Sequence, residues 1–68
     1  MKKTLSEALI ERAEWAQARA DLNERKNNEW AEAGNARMAR VAWESYMECI
    51  AERDAYLEAA KMARATNE

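Results

Sequence analysis

Glu44, Glu48 and Glu52 recur every four residues, so on a helix their carboxylates rise along one face. From such a spacing a metal site or an acid–base pair can be built. Its partners are missing. The chain has no histidine, which removes the commonest general base, the usual serine and cysteine triads, and the Glu-x-x-His pairs of di-iron bundles. A solvated helix face accounts for three glutamates without any ligand. Cys49 is the one cysteine, and a thiol becomes a nucleophile only where a neighbouring group lowers its pKa. Its apolar surroundings in sequence favour quiet burial instead. A single glycine cannot build a phosphate-cradling loop. The sequence therefore assigns no catalytic residue, no cofactor-binding residue and no metal ligand, and a non-enzymatic protein is expected.

Binding chemistry is better represented. Arg12, Arg19 and Lys26 repeat every seven residues, and Arg25, Arg37 and Arg40 gather around Gly34, which makes a basic strip of the kind that contacts nucleic acid. Glu24, Glu29 and Glu32 are interleaved with it. Across the chain 11 basic side chains meet 13 acidic ones, for a net charge of −2, so the overall field favours neither a polyanion nor a membrane surface.

These side chains must be positioned by helices. Alanine, glutamate, arginine, lysine and leucine make up more than half of the 68 residues, with one glycine and no proline, a composition of long helices or coiled coil. The first helix is predicted over about 4–33. Thr4 followed by Glu7 forms a capping-box pattern, and Glu7, Glu11 and Glu14 place negative charge near the positive end of the helix dipole. Gly34 suits the left-handed residue that closes a helix and Asn35 suits an N-cap, so a turn is predicted over about 33–36 and a second helix over about 36–65. The expected fold is all-α, one domain over residues 1–68, an antiparallel two-helix hairpin of coiled-coil character.

Heptad spacing gives each arm a seam: Leu9, Ala13, Ala16, Ala20, Asn23, Asn27 and Trp30 on the first, and Ala39, Trp43, Tyr46, Ile50, Arg53, Leu57 and Ala60 on the second. Folding at Gly34 pairs Leu9 with Leu57, Ala13 with Arg53, Ala16 with Ile50, Ala20 with Tyr46, Asn23 with Trp43 and Asn27 with Ala39. Small residues then face large ones. Glu24 is expected to pair with Arg40. Arg53 is expected to lie over Trp15, to pair with Glu14 or Glu11, or to reach solvent. Asn23 and Asn27 are candidates for fixing register across a bundle, or are simply solvated.

Apolar residues remain beyond the seam: Ala8, Trp15, Ala18 and Leu22 on the first arm, Ala42, Cys49, Tyr56 and Ala63 on the second, and Met38, Val41, Met47 and Met62 elsewhere. Ordering the chain costs about 1.5 kcal/mol per residue, which one helix-on-helix seam offsets with little to spare. Dimerisation into a four-helix bundle is the expected remedy, since neither a disulfide nor a zinc site is available. In architecture such a bundle resembles the Rop-type plasmid regulators, small hairpins that dimerise and grip paired RNA loops. The resemblance carries no motif and transfers no residue.

The functional expectation is a protein-binding regulator or inhibitor of the small kind that phages and plasmids encode. Trp15, Leu22, Trp30, Met38 and Met47 would supply its contacts, because aromatic and methionine side chains anchor interfaces. The alternatives are a Rop-like RNA binder using Arg12, Arg19 and Lys26, and a structural subunit of a larger assembly. A homodimer and a protein partner are expected, and a membrane partner is not. The start of the chain lacks the apolar core of a secretory leader, and a lone cysteine suits a reducing interior, which together point to the cytoplasm.

Overall fold

The computed structural model describes residues 2–66. Two helices account for nearly all of them: α1, Leu5–Glu32, and α2, Ala36–Ala65. They pack side by side as a hairpin with extents of 51 × 21 × 10 Å. The thickness is that of one helix layer, so both broad faces are open.

The helix ends follow from local chemistry. Thr4 accepts from the Glu7 amide through its hydroxyl, and Glu7 accepts from the Thr4 amide at 3.0 Å, closing the capping box. At the far end Gly34 takes φ +79°. Its amide donates to Ala31 O at 3.0 Å and the Asn35 amide to Trp30 O at 2.9 Å, the two bonds of a Schellman closure. Asn35 then begins α2, its side-chain oxygen accepting from the Met38 amide at 3.0 Å. One residue thus closes one helix and caps the next, which keeps the turn to three residues.

Between the helices the core is made of small side chains. Ala13, Ala16 and Ala20 of α1 are buried, Ala16 and Ala20 completely, and Ser6 extends the same ridge toward the chain start. From α2 come Ala39, Ala42, Cys49, Ala60 and Ala63. The predicted α1 seam holds from Leu9 to Asn27, but Trp30 stands at its exposed edge.

On α2 the seam is rotated from the predicted one. Trp43 and Leu57 are exposed and Ile50 is half-buried. Ala42, Cys49, Tyr56 and Ala63, expected beside the seam, take their places along with Tyr46 and Arg53. The cause is the α1 ridge: alanine lets two backbones approach, and the close approach admits alanine and cysteine from the facing helix while turning tryptophan and leucine to the flank.

Rotation changes the pairing. Asn27 still meets Ala39, as the predicted register has it, but Asn23 reaches Cys49 Sγ at 3.8 Å instead of Trp43, and Arg53 reaches Gln17, one turn beyond Ala13. Among the described residues the ion pair across the hairpin is Arg19 with Glu52 at 2.5 Å. The expected Glu24–Arg40 pair does not form, because the rotation carries Arg40 outward. Arg53 bonds Gln17 Oε1 at 2.5 Å and Asp54 Oδ1 at 2.8 Å, not Trp15, Glu14 or Glu11. The amides of Asn23 and Asn27 are likewise engaged within the hairpin, Asn23 also donating to Arg19 O at 3.1 Å. Among the described residues no helix is long and apolar enough to cross a membrane.

Candidate protein-binding faces

A seam of alanines leaves the large apolar side chains outside. Trp15 is 68% exposed, and Leu22, Trp30, Met38, Val41, Trp43, Met47, Leu57 and Met62 are exposed as well. Helical periodicity distributes most of them over the two broad faces of the layer.

The first face begins with a groove of about 470 Å³ lined by Arg12, Trp15, Ala18, Arg19 and, from α2, Tyr56. Arg12 and Arg19 flank Trp15 one turn to either side, where helical neighbours lie against each other. Two turns on, a second groove of about 460 Å³ holds Lys26, Trp30, Met38, Val41 and Ser45. Leu22, seven residues from Trp15 and four from Lys26, joins the two. Four of the predicted contact residues, Trp15, Leu22, Trp30 and Met38, therefore share one face with the predicted basic strip of Arg12, Arg19 and Lys26. The sequence placed these in competing hypotheses. The hairpin places them on one surface.

The α2 half of this face is acidic. Glu48 and Glu52 lie on the ridge that continues Val41 and Ser45. Glu52 holds Arg19, both side chains about half exposed, so the middle of the basic strip is already neutralised by its own hairpin.

Met47 belongs to the opposite face, one turn from Trp43 and one from Ile50. There Trp43 stacks on Tyr46 with ring centroids 5.0 Å apart and planes 24° from parallel. A groove of about 480 Å³ between Asn27, Ala31, Ala36, Ala39, Arg40 and Trp43 opens beside the turn. Further along this face α1 carries polar side chains, with Gln17 donating to Asp21 at 2.9 Å. Trp43 and Leu57 were missed as surface residues because heptad spacing assigned them to the seam. Val41, one turn from Met38, carried a usable signal in that spacing.

Glu44, Glu48 and Glu52 are all exposed, and among the described residues no three acidic or cysteine side chains converge on a point that could hold a metal ion. Cys49 is free and buried against the α1 ridge. The Glu7 carboxyl is held below its ordinary pKa, first by the Thr4 backbone bond, then by the Thr4 hydroxyl and by Lys3, which serves the helix cap. Compared by sequence and by fold, the chain matches no protein family, no curated protein and no solved structure.

Proposed function

We propose that this protein is a non-catalytic, protein-binding regulator or inhibitor that acts as a dimer of hairpins, a four-helix bundle. One observation carries the reading: small side chains fill the interior while nearly all the large apolar ones, tryptophans included, stand outside on two open faces. Large exposed apolar patches mark contact surfaces, and tryptophan is among the residues that most often dominate binding energy. A cytoplasmic setting goes with this reading, since Cys49 is an unpaired thiol.

The test is affinity capture with the intact chain and with Trp15→Glu, Trp43→Glu and Met47→Glu variants whose helicity is unchanged. A protein retained in stoichiometric amount and released by at least one substitution supports the function. Retention of nothing, or of the same proteins by every variant, refutes it. A partner needed for folding itself would make the chain a structural subunit, seen as a loss of helicity when it is purified alone.

Arg12, Trp15 and Arg19 in one groove favour a second reading, RNA binding with base stacking on Trp15. The Glu52 carboxylate on Arg19 opposes it. Retention of a looped RNA duplex that falls steeply with added salt would establish RNA binding. Salt-independent or absent retention would eliminate it.

A further inference from the structure

We infer that a second copy of this chain covers the Trp15 face, about a twofold axis running along the length of the hairpin, so that α1 of each copy rests on α2 of the other. The inference rests on the reading of the protein as a dimer of hairpins and adds which face is covered and in which direction the copies run.

Area is the first argument. The hairpin exposes 5382 Å² at a mass of 7.8 kDa, where a compact monomer of that mass exposes about 4,400 Å². The excess is about 1,000 Å². A standard stable interface takes about 800 Å² from each partner, so covering one broad face restores an ordinary surface.

Charge selects the face and the direction. On the Trp15 face, α1 carries Arg12, Arg19 and Lys26, with Glu29 beside Lys26 at the turn end, and α2 carries Glu48 and Glu52. Two copies can stack face to face about a twofold axis in only two ways that keep their long axes aligned. With the axis across the hairpin, as antiparallel copies require, α1 lies on α1 and the basic strips confront each other, which is repulsive. With the axis along the hairpin, α1 lies on α2. Since Arg19 and Glu52 already share a layer at 2.5 Å, Arg19 of each copy then comes beside Glu52 of the other, closing a ring of four alternating charges. The same operation sets Trp15 over Tyr56 at one end and Trp30 over Met38 and Val41 at the other, so apolar residues cover apolar residues. The opposite face, with Trp43 and Met47, stays open on both sides of the bundle for a target.

The experiment combines light scattering across a dilution series with distances between spin labels at position 32, introduced as Glu32→Cys in a Cys49→Ala chain. Wild type should be a dimer. Trp15→Glu, and independently Val41→Glu, should weaken it by about thirtyfold or more, as loss of an interface anchor does, with helicity by circular dichroism unchanged. Trp43→Glu should leave it intact. Parallel copies bring both turns to one end, so the labels should lie within about 25 Å, given an interhelical spacing of about 10 Å. Antiparallel copies would separate them by close to the 51 Å length of the hairpin.

A monomer at every concentration, a label distance near that length, or a dimer broken by Trp43→Glu but not by Trp15→Glu or Val41→Glu would each overturn the inference. A monomer that still captures a protein through Trp43 would leave the binding function standing without this dimer. A dimer formed through the Trp15 face that captures nothing would confirm the inference and end the function.

Discussion

Asn27 of α1 donates its side-chain amide to the main-chain oxygen of Ala39 in the first turn of α2, at 2.7 Å. The bond ties one helix to the backbone of the other within about two turns of the reversal. It fixes register where the alanine seam, lacking large knobs, discriminates poorly between neighbouring alignments. Replacing Asn27 by alanine should cost about 1 kcal/mol, read as a lower denaturation midpoint with an unchanged slope. Asn27→Asp should cost more, because a carboxylate facing that carbonyl has no proton to donate.

Gly34 adopts φ +79° with open space where a Cβ would go. A substitution there is therefore strained by the backbone alone. Gly34→Ala should destabilise by about 1–2 kcal/mol, and Gly34→Asn by less, since asparagine tolerates the left-handed region. Equal losses for the two in urea denaturation would mean that something other than φ sets the cost.

Ala16 and Ala20 are fully buried where the helices approach, whereas Ala18 lies on the exposed groove wall. Ala20→Leu should cost about 1–3 kcal/mol by forcing the helices apart, although leucine is a good helix former. Ala18→Leu should leave hairpin stability within about 0.5 kcal/mol. Thermal denaturation of the pair separates packing from helix propensity, which the two substitutions share.

Thr4 caps α1 and the Glu7 carboxylate answers it. Thr4→Ala should cost about 1 kcal/mol. The bond from the Thr4 backbone, with smaller help from the Thr4 hydroxyl and Lys3, holds the Glu7 pKa below its ordinary value of 4.5. A carboxyl more acidic in the folded chain than in the unfolded one stabilises the fold above the ordinary pKa. That contribution fades as pH falls through the depressed folded value, because the unfolded chain binds the proton first. Glu7→Gln should therefore reduce the loss of stability on acidification from pH 4.5 downward. An NMR titration of the Glu7 carboxyl that places its midpoint at or above the ordinary value would contradict this assignment.

The sequence by itself determined the elements. Composition without proline, the Thr4–Glu7 cap and the Gly34–Asn35 pair specify two helices and a reversal, because capping and left-handed backbone are local and depend on residues within a few positions. The α1 seam from Leu9 to Asn27 was equally legible, since its alanines leave no bulkier alternative on that side. Only the tertiary structure decided which stripe of α2 faces them. Heptad counting fits Trp43, Ile50 and Leu57 as well as it fits Ala42, Cys49 and Tyr56, and the choice turns on how close the α1 alanines draw the two backbones, a distance no single helix encodes. The same rotation sends Trp43 and Leu57 to the surface, gives Arg53 to Gln17, and sets Met38 of α2 beside the α1 face that carries Trp15, Leu22, Trp30, Arg12, Arg19 and Lys26. Side-chain volume at the contact, summed over both helices, turned a legible pair of helices into a hairpin with two distinct faces.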